Sequence, residues 1–338
     1  MVSAVNLRLN AADRSYFAIL KKEVHALSAQ GGFSAKRIAE IDIVVAELVS
    51  NLARHAGGGE IFAKLFEDNG RQGLELIAID SGPGIGDLRG MMQDGASTKD
   101  SLGQGLGAIR RLSDLLQIYT QKDWGTLQLV RVYNRAATAA QKPGPVEVRS
   151  LVVPKPGETE CGDGFYFKQT PEHLKLFLGD GLGHGPEAAH AVRTAIDAFK
   201  ACPEDSAVEN LRFINSAVKK TRGLVATVAI FHMEQKQWRI CGVGNIATRL
   251  HSSMASRNHN PYNGIVGLNM PNTMNDQVLE YEKGQTIVMC SDGFKSKWDL
   301  LRLTGIQRYD LSLLNAALFK EFARQTDDMS VASCKINV

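Results

Sequence analysis

The chain has 338 residues, enough for two domains of about 100–200 residues that each bury a core. Its 44% apolar, 22% charged and 7% aromatic residues are those of an ordinary soluble globular protein. A net charge of +3, split as 16 basic and 15 acidic residues over 1–140 and 23 and 21 over the rest, argues for neither nucleic acid nor a membrane surface as partner.

Five scattered cysteines (Cys161, Cys202, Cys241, Cys290, Cys334) contain no CxxC pair, which excludes a disulfide framework or a zinc site. No apolar run approaches the ~18–20 residues that span a bilayer. The N-terminus, with Asn6, Arg8, Asn10 and Asp13, has no signal-peptide core. A cytoplasmic protein with reduced thiols is expected.

Up to residue 133 the expected order is strand, helix, helix, strand, strand, loop, helix, strand. The second helix is the best defined. Ser34 is a good N-cap, Phe33 and Ile38 suit a hydrophobic staple, and Ile38, Ile41, Val45, Leu48 and Leu52 form one apolar stripe. Glu47, Asn51 and His55, at i, i+4 and i+8, line a polar edge of the same helix. A carboxylate at Glu47 can polarise a water or a serine hydroxyl, and the Asn51 amide oxygen can ligate Mg²⁺ without repelling a triphosphate.

The strand-like Leu74–Ile79 then runs into Asp80-Ser-Gly-Pro-Gly-Ile-Gly86, where a carboxylate and glycines let a flat ring approach and accept its exocyclic amine. Ser101 to Gly107, SLGQGLG, opens a helix whose amides suit phosphate. It is neither a Walker A sequence nor GxGxxG, which disfavours a P-loop or dinucleotide fold.

ELVSN with RHA, then DSGPGI, then the glycine-rich helix start resemble the N, G1 and G2 boxes of GHKL ATPases with their Bergerat fold. The stretch from Asp80 to Asp114 is most similar to the RsbT-like switch kinases. The resemblance implies an ATP-dependent serine kinase over 1–133, with Glu47 as base and Asn51 as Mg²⁺ ligand. It further implies adenine recognition by Asp80, with Gly82, Gly84 and Thr126 in the pocket. Gly103, Gly105 and Gly107 would lie at the phosphates, near Arg54 and Lys99. No phosphoacceptor-histidine motif accompanies these boxes, and His55 reads as structural.

Asn134 to Pro145, NRAATAAQKPGP, reads as a linker between two strand-like runs. Beyond it short strands dominate, with helices expected from near Pro186, over Ser206–Lys220 and over Leu311–Ala323, which suits a sheet-rich α/β layered domain. Four aspartate positions sit at strand ends beside glycine or another acid: Asp163, Asp180, Asp292 and the pair Asp327–Asp328. Carboxylates converging from separate strand ends can hold two hard cations that bind phosphate and generate a hydroxide.

In order, GDG, DGLGHG, SDG and DDMS resemble the PPM-type phosphatases of the SpoIIE and RsbX branch over 146–338. The resemblance implies a β-sandwich flanked by helices. It also implies two Mn²⁺ or Mg²⁺ ions bridged by Asp180, with the Gly181 carbonyl, Asp163, Asp292 and Asp327 completing the site. Asp328 and His184 have no fixed role at this stage.

The whole is expected to be a two-domain α/β (α+β) enzyme. Relatives of both halves imply a bifunctional partner-switching regulator acting on serine or threonine of a STAS-domain antagonist protein, with an anti-sigma factor or related regulator downstream. A second reading keeps the phosphatase and leaves the first domain to bind ATP or a partner only for regulation.

Overall fold

The computed structural model describes residues 5–68, 70–91, 102–135, 144–252 and 256–337. The chain divides into two units, Met1–Gln141 with Leu303–Ala317, and Lys142–Arg302 with Leu318–Val338. A plain split at the linker assigns everything after residue 146 to the second domain; the structure instead packs Leu303–Ala317 with the first.

The first unit contains β1 (Leu7–Asn10), α1 (Phe17–Gln30), α2 (Ala35–His55), β2 (Glu60–Asp68), β3 (Arg71–Ile79), α3 (Leu88–Met91), α4 (Leu102–Leu112), β4 (Leu115–Gln121) and β5 (Gly125–Tyr133). Its strands form one antiparallel sheet in the order β1-β2-β3-β5-β4. Ser34 caps α2, its Oγ accepting from the Arg37 amide at 3.3 Å. Ile41, Val44, Val45, Leu48, Val49 and Leu52 of α2 then pack on Ile61, Ala63, Leu76, Ala78, Val130 and Val132 of the sheet.

Two strands follow α4 where one is expected. The mixed composition of Leu115–Gln121 hides β4, because its two faces do different work. Ile118 joins the core under the helices. On the other face the Gln117 side chain accepts from the Asp310 amide at 3.0 Å, and the Tyr119 hydroxyl donates to the Thr304 carbonyl at 3.3 Å.

That second face of the sheet is buried too, and it carries charge. Lys64, Glu75 and Arg131 are cross-strand neighbours on β2, β3 and β5, exposed by only 7%, 1% and 3%. Arg131 Nε donates to Glu75 Oε2 at 2.8 Å, and its two terminal nitrogens donate to the two oxygens of Asp310 at 2.6 and 2.7 Å. Ser312 Oγ accepts from Arg131 at 3.0 Å and donates to Glu75 at 2.8 Å. Burial alone works against the Arg131 charge, but Glu75 and Asp310 outweigh it and hold its pKa above the ordinary arginine value. This network is why Leu303–Ala317 belongs with the first unit.

In the second unit are β6 (Val146–Val153), β7 (Asp163–Gln169), β8 (His173–Gly181), α5 (Pro186–Ala201), α6 (Ala207–Ala217), β9 (Leu224–His232), β10 (Gln237–Val243), β11 (Ala247–His251), β12 (Ser256–His259), β13 (Gln277–Glu280), β14 (Thr286–Cys290) and β15 (Met329–Ile336). Helix α7 (Leu311–Phe322) starts in the segment assigned to the first unit and ends in the second.

Two five-stranded antiparallel sheets result, β13-β10-β9-β8-β7 and β12-β11-β14-β15-β6. Helices α5 and α6 bury Val192, Phe199, Leu211 and Ile214 against Phe177, Val228 and Ile230 of the first of these sheets. The strand ends of β7, β8 and β14, and the approach to β15, carry the aspartates singled out above. Among the described residues no helix is long and apolar enough to cross a membrane.

Replacing Arg131 with alanine leaves Glu75 and Asp310 buried without their shared partner. Breaking a buried pair in this way costs about 3–5 kcal/mol. Urea unfolding of Arg131→Ala should show a loss of that order in the transition of the first unit.

Candidate active sites

The first site is built from α2, the loop after β3 and α4. Asn51 is 7% exposed, and its Nδ2 has no hydrogen-bond partner among the described residues. Glu47, one turn earlier, is half-buried. A β-carbon added at Gly105 of α4 would lie 2.6 Å from Glu47 Oε2 and 3.5 Å from Asn51 Oδ1. Glycine at 105 therefore makes room for the α2 carboxylate and amide, a steric role beyond the phosphate-facing amide expected of it. Gly103 and Gly107 lie on the same helix.

Asp80 is 8% exposed at the end of β3. Its Oδ1 accepts from the amides of Gly82 at 2.8 Å and Thr126 at 3.1 Å, and its own amide donates to the Thr126 carbonyl at 3.0 Å. The carboxylate is thereby fixed in direction before any ligand arrives.

The loop after it is held as tightly. At Gly84, with φ +79°, a β-carbon would stand 2.3 Å from the Gln121 carbonyl oxygen; at Gly125, with φ +119°, it would stand 2.2 Å from the Asp80 carbonyl oxygen. Only glycine fits either place. Gly82 abuts Ala56 just past α2. The structure thus brings together Glu47, Asn51 and Gly105 in one cluster, and Asp80, Gly82, Gly84 and Thr126 in another. Arg54 is exposed on α2. Lys99 lies outside the described residues.

The second site starts from an antiparallel register. Asp163, first in β7, is the cross-strand partner of Asp180 near the end of β8, so both carboxylates leave the same face of the sheet. Asp163 is 3% exposed. Its Oδ2 accepts from Ser291 Oγ at 2.7 Å and from Ser330 Oγ, while its Oδ1 is buried with no hydrogen-bond partner among the described residues. Burial, and then the charges of Asp328 and Asp292, push the Asp163 pKa up to about 7 against the opposing pull of the two serines. Asp180 is raised well above the carboxylate range, by burial first and then by Asp163, Asp292, Asp327 and Asp328.

Five aspartates therefore share one field, and two roles separate within it. Asp328 spends both oxygens on backbone amides, accepting from Lys155 at 2.8 Å and Gly162 at 2.9 Å, so it secures the turn that presents Asp163. Asp292 has one oxygen held by Asn245 Nδ2 at 3.0 Å. Gly181 has no room for a side chain, since a β-carbon would meet the Ala188 carbonyl oxygen at 2.5 Å. Its amide donates to the Gly162 carbonyl at 2.9 Å.

Among the described residues no three Asp, Glu, His or Cys side chains gather tightly enough to enclose one ion alone. A cation here would draw on paired carboxylates, a backbone carbonyl and water, the donor set that Mg²⁺ and Mn²⁺ favour. The orphaned Asp163 oxygen and the mutual repulsion around Asp180 fit such an occupant.

Nothing in the local sequence marks the serines of SDG and DDMS as part of the site. Ser291 and Ser330 are the residues that orient Asp163, and each stands within one of those motifs. His184, between Gly183 and Gly185 at φ +80° and +76°, pairs with Glu158 at 2.7 Å on the exposed rim.

Comparison with known proteins bears on both sites. Residues 10–131 match the family model of the histidine kinase-like ATPase domain, and residues 170–337 match that of stage II sporulation protein E. The serine/threonine-protein kinase RsbT of Bacillus subtilis is 40% identical over 95 residues, which are 28% of this chain and 71% of that protein. The chain belongs to the RsbT-like kinase family.

Behind this RsbT-like domain stands a SpoIIE-type phosphatase domain. The phosphoserine phosphatase RsbX of Bacillus subtilis is 29% identical over 143 residues, 41% of this chain and 70% of that protein. A solved structure described as "The bacterial stressosome: a modular system that has been adapted to control secondary messenger signaling" is 28% identical, with TM-score 0.53, over 56% of this chain and 98% of that one. RsbX in complex with magnesium, at 23% identity and TM-score 0.52 over 58% of this chain and 98% of that one, shares the fold. The RsbT-like chain is thus an enzyme, a serine/threonine phosphatase joined to a kinase-type ATPase domain.

Metal-free protein should feel the crowded carboxylates most above neutral pH. With Asp163 raised from near 4 to about 7, its ionisation removes stability progressively as pH climbs through that window. A cation that binds the ionised cluster offsets this. The rise in melting temperature on adding Mn²⁺ should therefore be larger near pH 8 than near pH 5; an equal rise at both would contradict the assignment.

Proposed function

We propose that this protein sets the phosphorylation level of a serine or threonine on a STAS-domain antagonist protein, phosphorylating it from ATP in the domain at 1–133 and dephosphorylating it in the domain at 146–338. The observation that carries the reading is that one chain holds two separate constellations of opposite chemistry. One is a carboxylate and an amide against a glycine of α4, beside a braced aspartate. The other is a register-paired set of buried aspartates. The names of its relatives, a serine/threonine-protein kinase and a phosphoserine phosphatase, describe opposed reactions and support the same reading.

In the kinase half, Glu47 accepts the proton of the attacking hydroxyl, Asp80 takes the adenine amine, and Asn51 helps hold Mg²⁺. Gly103, Gly105 and Gly107 of α4 would bind the phosphates, with Arg54 and Lys99 as the basic side chains assigned to them. In the phosphatase half, Asp180 would be the ligand shared by two bound cations. Asp163, Asp292, Asp327 and the Gly181 carbonyl would supply the remaining ligands. Bound Mn²⁺ or Mg²⁺ supplies charge neutralisation and an activated water. The antagonist partner, an anti-sigma factor or similar regulator beyond it, and a cytoplasmic location complete the proposal.

The test is a comparison on one candidate STAS substrate, at equal protein and free metal concentrations. Glu47→Ala should lower steady-state phosphoserine at least tenfold while ATP binding persists. Asp180→Asn should raise phosphoserine and abolish Mn²⁺-dependent release of phosphate. If Glu47→Ala transfers phosphate as fast as wild type, the kinase assignment fails. If Asp180→Asn keeps full phosphatase activity, the metal assignment fails.

A further inference from the structure

We propose that Arg222 binds an anionic group of the phosphoserine substrate at the rim of the metal site; this rests on the phosphatase reading of the second unit.

Lys219-Lys220-Thr221-Arg222-Gly223 forms the turn between α6 and β9, with its three cations exposed. The turn is braced from within. Thr221 Oγ1 donates to the Val218 carbonyl at 2.7 Å and accepts from the Gly223 amide at 3.1 Å. Gly223 has φ +79°, and a β-carbon there would stand 2.9 Å from the Val266 carbonyl oxygen. The backbone at Arg222 is therefore fixed on both sides, although its side chain is open to solvent.

That backbone continues the strand pairing that carries the central aspartate of the metal site. Asp180 lies opposite Val225, and Gly181 opposite Leu224. One step further, the Leu182 amide donates to the Gly223 carbonyl at 3.2 Å. Arg222 then folds back over the same loop. Its Nη1 donates to the Leu182 carbonyl at 3.3 Å, and a β-carbon on Gly183 would stand 2.9 Å from that nitrogen. Glycine at 183 thus leaves the space that the guanidinium occupies. The guanidinium rests on the two residues that directly follow Asp180 and Gly181.

Arg222 is held in place without being neutralised. Arg131 uses its donors on two carboxylates and a hydroxyl in the protein interior. Arg222 has the Leu182 carbonyl and, 3.5 Å away, the Glu187 carboxylate, the two charged side chains being 45% and 75% exposed. An ion pair so open to water contributes little to stability. A guanidinium presents five donors in a planar fork, which matches two oxygens of a phosphate or a carboxylate. An anionic substrate approaching five aspartates is repelled by them, and a fixed cation on the rim offsets that repulsion. Two groups of a phosphoserine substrate have the required chemistry: the phosphoryl group itself, and a carboxylate beside the phosphoserine.

The test uses full-length protein with Mn²⁺ and three probes: p-nitrophenyl phosphate, a phosphoserine peptide with glycine flanks, and one with aspartate flanks. Arg222→Gln should raise KM about tenfold on the aspartate-flanked peptide, the loss of one charge-assisted contact, with kcat within about twofold of wild type. Arg222→Lys, which keeps the charge and loses the fork, should fall between the two. Mn²⁺ affinity, read by electron paramagnetic resonance, should be the same in all three proteins. A rise on all three probes identifies the phosphoryl group as the anion that Arg222 holds; a rise confined to the aspartate-flanked peptide identifies the neighbouring carboxylate.

An unchanged KM on every probe overturns the assignment. So does a KM rise accompanied by weaker Mn²⁺ binding, which would mark a disturbed loop. Absence of Mn²⁺-dependent hydrolysis of all three probes by the wild type overturns the phosphatase reading, and the role of Arg222 with it.

Discussion

Arg131 places a positive charge on the buried face of a five-stranded sheet, at 3% exposure, where water cannot solvate it. Glu75 faces it from the neighbouring strand, but a guanidinium presents five donors, and one carboxylate leaves most of them unmet. Asp310 and Ser312 complete the set from a segment far along the chain. That segment also brings Leu303, Ile306 and Leu313 into burial. A purely apolar sheet face could be covered by many apolar surfaces. A buried arginine accepts only a cover that carries a correctly placed carboxylate, so the charge fixes which segment lies there and in what register. Stability is then a weaker description of the network than selectivity.

The aspartates of the second unit pose the opposite electrostatic problem. There the charges are of one sign, and the protein organises them without neutralising them. Backbone amides occupy Asp328, serine hydroxyls occupy one edge of Asp163, and an asparagine holds one oxygen of Asp292. Each of these donors orients a carboxylate without bringing in a positive side chain. The repulsion that remains around Asp180 is stored in the fold and is relieved by a cation or by protons. Strain of this kind is what a preorganised metal site requires, since the ligands need not be gathered when the ion arrives.

Much of this was legible in the residues. The cap at Ser34, the apolar stripe of α2 and the three later helices follow from periodicity and local chemistry, which act over a few residues. The aspartate and glycine positions stood out because glycine beside a carboxylate marks a turn where backbone and charge meet. Three things were not legible, for one reason. Strand β4, the attachment of Leu303–Ala317 to the first unit, and the serines behind Asp163 are all defined by partners distant in sequence. Gln117 looks out of place in a strand until Asp310 is known to sit beside it. Ser291 and Ser330 look like ordinary turn residues until Asp163, more than a hundred positions earlier, is placed between them.

The return of Leu303–Ala317 to the first unit has a consequence for how the protein is made. A ribosome finishing residue 141 releases a sheet whose buried face still lacks its cover, with Arg131 and Glu75 open to solvent. At ~5–20 residues per second, roughly 10–35 s pass before Ala317 emerges. During that interval the nascent first unit presents Phe62, Ile77 and Leu129 beside unmatched charges, and the second unit must form most of its strands around a loop it does not keep. The polar groups on the waiting face disfavour aggregation through it. The same arginine that selects the final cover thus also guards the face during synthesis, and the nucleotide-binding half is completed only once nearly the whole phosphatase sequence has been translated.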